Sequence, residues 1–190
     1  PDIHGKAPGR GAWIGVPAEE LEAARTKGKL AGLLKRAFKV SELAVPDDLV
    51  TRIGEGLEKA TLDRLGLEAR ASNLLSGAEK VDAAARGGAV ELLLHASDAS
   101  EDGASKRDQS WRVGLEEEGS GRKGMRLPVD RDRLSAALGR ANSVHVAITD
   151  AKAAERVKRH LERWLYFIGC SNARGDAKAD RRAQTAPDGN

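Results

Sequence analysis

The sequence predicts an α/β protein in which helices cover both faces of a sheet. Two observations carry this. In the second half of the chain, segments with apolar residues at helical spacing alternate with short, compact apolar runs bounded by Gly, Ser and Asp. Aromatic residues are only 3% of the 190, so the core must be built from Leu, Val and Ala, which suits helices packed on a sheet.

Taken in order, the chain opens on Lys6-Ala7-Pro8-Gly9-Arg10-Gly11-Ala12-Trp13. Glycines let a backbone approach a ligand or take positive φ, and Pro8 stiffens the turn. Lys6 and Arg10 bracket the turn and Trp13 follows, a combination suited to holding single-stranded nucleic acid. The spacing matches neither the dinucleotide fingerprint nor the Walker loop. A plain structural alternative stands beside this one: a tight turn into a short strand, Ala12 to Val16, with Trp13 in the core.

Pro17 suits the first turn of a helix, and Glu19 and Glu20 favour its positive end, so a helix is expected to about Lys27. Gly28 stops it. Leu30, Leu33, Leu34, Ala37 and Phe38 then have helical spacing, leaving Lys29, Lys35, Arg36 and Lys39 to water or to phosphates. Pro46-Asp47-Asp48 opens a longer helix, with Leu49, Ile53, Leu57, Thr61 and Leu65 recurring every four residues to about Ala71, which joins the halves of the chain.

Ser76-Gly77-Ala78-Glu79 reads as a capping box, with Ser76 at the N-cap of a helix that ends at Gly87-Gly88. Val90 to Ala96 reads as a strand. Asp98 with Glu101 is expected to cap the next helix, Glu101 to Trp111. Glu116 to Lys123 is a loop and Arg126 to Val129 a short strand. Asp130 starts a helix containing Leu134 and Leu138. Ser143 to Ile148 is a strand, and Thr149 is expected to cap a last helix through Ile168. From Ser171 onward the composition has no periodicity, and a disordered tail over 171–190 is expected.

Net charge is +3, unevenly spread. Residues 1–40 carry eight Lys and Arg against four acids, 171–190 carry four against three, and 41–170 are left at −2. A polyanion would therefore dock at the N-terminal end. No apolar run approaches a membrane span, so no membrane partner is expected. The single Cys170 allows no internal disulfide, which suits a reducing cytoplasm. His4, His95, His145 and His160 share no metal-ligand spacing, and no metal or other cofactor is expected. His95, Ser97 and Asp98 do not make a triad, because side chains alternate along a strand end and Asp98 has a capping role. An enzyme is not expected.

Two stretches resemble known families. Lys6 to Lys39, with its Lys-Ala-Pro-Gly-Arg-Gly-Ala-Trp loop and its Leu33-Leu34-Lys35-Arg36-Ala37-Phe38-Lys39 segment, resembles the second half of the bacterial YlxR family, regarded as nucleic-acid binding. That family's opening strand region with an Arg-x-Cys type signature is missing and the first residue is Pro1, so a truncated module is expected over 1–45. Residues from about Thr61 to Ile168 resemble the kink-turn-binding ribosomal protein superfamily of the L-seven-Ae type, in its YlxQ-like branch. The resemblance rests on Leu65 to Ala71, Ser76 to Val81, Leu92 to Ser100 and Leu134 to Arg140. It implies a three-layer α/β/α sandwich with a mixed sheet over 46–170, preceded by a small α+β module. Members that grip kink-turn RNA carry Gly-x-Asn-Glu-x-x-Lys at a helix start. Here Gly77 is kept, but Glu79, Lys80 and Ala83 stand where Asn, Glu and Lys do. The amide and ammonium are absent, Glu79 is expected to turn back as a cap, and general RNA binding is the expectation that remains.

The resemblance thus implies a cytoplasmic bacterial RNA-binding protein with two modules, linked to ribosome assembly or translation. Lys6, Arg10, Lys35, Arg36 and Lys39 would hold phosphates, with Trp13 stacking or packing. Gly77, Lys80 and the Gly139-Arg140 pair would add contacts where helix starts present backbone N–H groups. Structured, ribosomal RNA is the expected partner, with ribosomal proteins as further neighbours. The alternatives are a protein-interaction module docking on ribosomal or transcription machinery, and a DNA-binding regulator.

Overall fold

A computed structural model describes residues 1–9 and 11–170; Arg10 and the tail from Ser171 lie outside the described residues. In order, the described elements are α1 (Ala18–Thr26), α2 (Lys29–Phe38), α3 (Leu49–Arg70), β1 (Leu74–Ser76), α4 (Ala78–Arg86), β2 (Leu92–His95), α5 (Glu101–Gly114), β3 (Met125–Arg126), α6 (Arg131–Leu138), β4 (His145–Ile148) and α7 (Ala151–Phe167). This is an α/β fold with one mixed sheet in the order β1-β4-β2-β3. β4 pairs antiparallel with β1 (Leu74↔Ile148) and with β2 (His95↔His145), while β3 runs parallel to β2 (Leu94↔Met125). No helix among the described residues is long and apolar enough to cross a membrane.

The chain forms two compact units, one of residues 1–58 with the segment from Leu161, the other of residues 59–160. In the first, Pro17 fixes φ at −62° and Glu19 and Glu20 occupy the first turn of α1, as dipole chemistry favours. Gly28 turns left-handed between α1 and α2, and Lys39 ends α2 in the same conformation, so that Val40 N–H donates to Lys35 O at 3.0 Å. The strand expected over Ala12–Val16 does not form. A strand needs a ladder partner, and all four described strands lie in the other unit. Here the Gly15 carbonyl accepts instead from Tyr166 Oη, at 3.2 Å.

The second unit holds the sheet. Every residue of β2 and β4 is buried, so both sheet faces are covered. Leu93 and Ala147 face a core with Val81 and Ala85 of α4 and Trp111 of α5, and Trp111 Nε1 donates to Val90 O at 2.7 Å. The alternate residues Leu92, Leu94, Val146 and Ile148 are buried on the other side. Glu68 of α3 accepts two bonds from Arg156 of α7, at 2.8 and 3.0 Å, and one from Asn73 at 2.8 Å. These bonds hold the Glu68 carboxyl down to about 2, with Arg156 the main cause. Gly114 of α5 lies so close to the Ala85 carbonyl of α4 that a Cβ there would collide with it.

Three capping expectations are corrected. Gly77, not Ser76, is the N-cap of α4, because Ser76 ends β1 and its hydroxyl is engaged elsewhere. Ser100, not Asp98, caps α5, its Oγ accepting from Gly103 N–H. Asp98 instead accepts from Arg131 N–H at 3.0 Å and Arg131 Nε at 2.6 Å, so it serves the first residue of α6. Asp150, not Thr149, caps α7, accepting from Ala153 N–H at 2.7 Å. Thr149 Oγ1 faces the Asn73 carbonyl at 3.4 Å. Asp130 caps α6 as the sequence predicts, accepting from Arg133 N–H.

Candidate nucleic-acid interface

The turn from β1 into α4 builds the more complete of two candidate surfaces. Ser76 ends the strand and Gly77 takes φ 99° and ψ 133°, where an L side chain is strained. α4 starts at once, with no side-chain cap on its N-terminus. Residues Gly77 to Lys80 are all exposed, so the first-turn N–H groups face solvent. At the other end of the sandwich sequence, α6 stops at Gly139, left-handed at φ 62°. That turn delivers Arg140 to the same place: its Nη1 donates to Ser76 Oγ at 3.1 Å. Three of the four expected sandwich residues, Gly77, Gly139 and Arg140, are thereby joined through Ser76, and exposed Lys80 sits one turn into α4.

Two details differ from expectation. Gly139-Arg140 is a helix end, not a start, and its backbone N–H groups are already spent on Ala136 O and Ser135 O. What it offers an anion is the Arg140 guanidinium, not the backbone. Glu79 makes no cap hydrogen bond. Its carboxylate stands exposed in the first turn, where it complements the dipole and repels a phosphate.

The N-terminal set is distributed differently. Lys35 and Arg36 lie in the last turn of α2 and Lys39 is its C-cap, so these three cations share one helix end. There they complement the negative end of the helix dipole. Arg36 and Lys39 are exposed and Lys35 is half-buried. Lys6 is exposed in the opening loop, whose base is closed by Ala7 N–H donating to Asp2 Oδ2 at 2.7 Å. Trp13 is 86% exposed, which overturns its reading as core. Its ring lies against Gly5, whose added Cβ would sit 3.3 Å from Cη2. Arg10 lies outside the described residues.

Sequence reasoning missed a buried polar chain beside the sheet. His95 of β2 and His145 of β4 are register partners, and their Nδ1 atoms are 2.9 Å apart. His95 Nε2 reaches Asp108 Oδ1 of α5 at 3.0 Å. A carboxylate only accepts, so His95 Nε2 carries its proton and donates to Asp108, and a single proton bridges the two Nδ1 atoms. Burial, then the neighbouring His95 and Arg107, push the His145 imidazole down to about 4. The signal lay in the strand register, which spacing along one chain does not carry. No group of three or more His, Cys, Asp or Glu among the described residues is placed to hold a metal.

No protein-family model matches the chain, and no curated protein does. Among solved structures it is similar to a protein of unknown function from Bacillus halodurans C, at 29% identity, over 54% of this chain and 96% of that one, with a TM-score of 0.44.

Proposed function

We propose that the chain is a cytoplasmic bacterial RNA-binding protein, acting on structured RNA of the ribosome or its assembly, and not an enzyme. The observation that supports this best is the Arg140–Ser76 contact beside an uncapped helix start. It places a guanidinium with no carboxylate partner among the described residues next to free backbone donors and exposed Lys80. Guanidinium plus helix N-terminus is an anion-binding combination, and phosphates are the anions RNA supplies. The cations at the end of α2 and the exposed Trp13 give the N-terminal unit the charge and stacking surface that single-stranded or looped RNA takes. The YlxR-like and YlxQ-like resemblances agree with this reading.

The test is a titration of the chain against a kink-turn RNA, an unrelated hairpin and duplex DNA at two salt concentrations. Arg140→Ala and Lys80→Ala should each weaken RNA binding and lower the salt slope by about one counterion. Glu79→Gln should tighten it, by removing a carboxylate from the phosphate path. RNA affinity indifferent to salt and to all three substitutions would refute the reading.

A second reading has its own support. Trp13, Ile14, Leu33 and Val40 of the N-terminal unit are large apolar side chains left exposed. They offer apolar surface of the kind used in docking on a protein, here of the ribosomal or transcription machinery. Loss of that partner on Trp13→Ala with RNA binding intact would support it.

A further inference from the structure

The strand order puts β1 and β3 at opposite edges of the sheet, and β3 carries a feature separate from the start of α4. A cleft of about 470 Å³ opens there between α5 and residues 123–126. Cavities of this size hold small-molecule ligands.

Its lining offers three different chemistries. Asp108 accepts from His95 Nε2 at 3.0 Å and from Gly124 N–H at 2.7 Å, both on Oδ1. Oδ2 is therefore the acceptor left to the cleft that Asp108 lines. Arg126 is held in place: Nη1 donates to the Ser97 and Ala99 carbonyls at 3.2 and 2.9 Å, and Nη2 to Glu101 at 2.6 Å. A guanidinium fixed in this way offers a plane on which a flat ring can stack. Lys123 is exposed and has no hydrogen-bond or ion-pair partner among the described residues. Arg112 spends only Nη1, on the Arg122 carbonyl at 2.7 Å.

A ligand that answers all of these has a flat ring with N–H donors on one edge and an anion at its other end. A free phosphate would meet only the rim cations, an aliphatic amino acid has no flat ring to lay on Arg126, and an aromatic one brings its ammonium to the same Lys123 and Arg112 that must hold its carboxylate. A nucleotide has all three parts. Guanine presents two adjacent donors, N1–H and N2–H, which can share Oδ2, whereas adenine and cytosine set their amino group beside a ring-nitrogen lone pair that would face the carboxylate. Uracil flanks its single N–H with carbonyl oxygens that would face the carboxylate. We propose that this cleft binds a guanine nucleotide, with the base edge on Asp108, the ring on the face of Arg126, and the phosphate on Lys123 and Arg112.

The nucleotide is either free or an unpaired guanosine of an RNA, and in the second case the proposal rests on the RNA-binding reading. The experiment is an amide NMR titration of the full chain with GMP, UMP and inorganic phosphate, and with the pentanucleotides UUGUU and UUUUU. GMP should shift the Gly124 and Ser105 amides and bind about tenfold tighter than UMP. Lys123→Ala, which disturbs no bond of the fold, should weaken GMP several-fold. Asp108→Asn, which turns the free acceptor into a donor, should abolish the preference for GMP over UMP. If that variant does not fold, the Lys123→Ala result and the GMP-to-UMP ratio decide alone. A preference for UUGUU over UUUUU identifies the RNA source, and GMP binding without it identifies the free nucleotide. Equal affinity for GMP, UMP and phosphate, or no shift at Gly124 and Ser105, overturns the proposal. Either result leaves the α4–α6 phosphate contacts to be judged by Arg140→Ala.

Discussion

His145 makes the fold sensitive to pH in a defined window. The perturbation is His145→Gln, whose amide can donate to or accept from His95 Nδ1 but cannot titrate. The groups facing His145 are His95 from β2, Arg107 and Asp108 from α5, and Arg126 from the β3 edge. Burial, His95 and Arg107 oppose a charge there more than Asp108 favours it, and the imidazole is pushed from 6.5 to about 4. The folded state therefore holds fewer protons than the unfolded state between these values. Its stability is complete above pH 6.5 and declines as pH falls toward 4. At ~1.4 kcal/mol per unit the whole window is worth ~3 kcal/mol, of which roughly 2.5 kcal/mol is lost by pH 4.5. The assay is urea unfolding of both proteins at pH 7.5, 6.0 and 4.5, followed by tryptophan fluorescence. The natural chain should lose stability more steeply than the glutamine variant. Identical pH dependence, or an NMR midpoint for His145 above pH 6, would refute the reasoning.

Three further outcomes are expected. Glu68→Gln should destabilise by about 2 kcal/mol, since it removes a charge buried among Arg156, Asn73 and Arg64 while Arg156 stays partly hydrated. In the natural chain that carboxylate stabilises above pH 4.5, and the contribution disappears as pH falls toward about 2, which acid unfolding of the pair would show. Gly114→Ala should destabilise by about 2–3 kcal/mol or more, because its methyl would collide with the Ala85 carbonyl and force α4 and α5 apart; a thermal midpoint unchanged within error would contradict that. Asp98→Ala should lower the thermal midpoint through the loss of its two bonds to Arg131 at the start of α6, and an unchanged midpoint would contradict that.

The seven helices among the described residues were legible in the sequence because apolar spacing marks each and local punctuation bounds most of them. Pro17, Gly28, Pro46, Gly87 and Asp130 act within a turn of where they stand, and apolar residues at helical spacing mark the buried face. The strands around Leu92–His95 and His145–Ile148 were legible as short runs of buried apolar residues. β1 was not. Leu74–Ser76 is three residues long and is a strand only because β4 lies alongside it. Ala12–Val16 failed in the opposite sense, with strand-like residues and no partner to pair with. The caps erred the same way: Ser76, Asp98 and Thr149 each have a hydroxyl or carboxylate two or three residues from a helix, and tertiary contacts took them for other uses.

The sequence by itself determined the fold class, the order of helices, and which residues carry the positive charge of the N-terminal unit. These follow from local spacing and composition. Only the tertiary structure decided that Arg140 reaches Ser76, that His95, His145 and Asp108 form one buried chain, and that Asp108, Arg126 and Lys123 line one cleft. Each of those groupings joins residues from different elements. Strand register and helix packing bring them together, and neither is written in the spacing of residues along the chain.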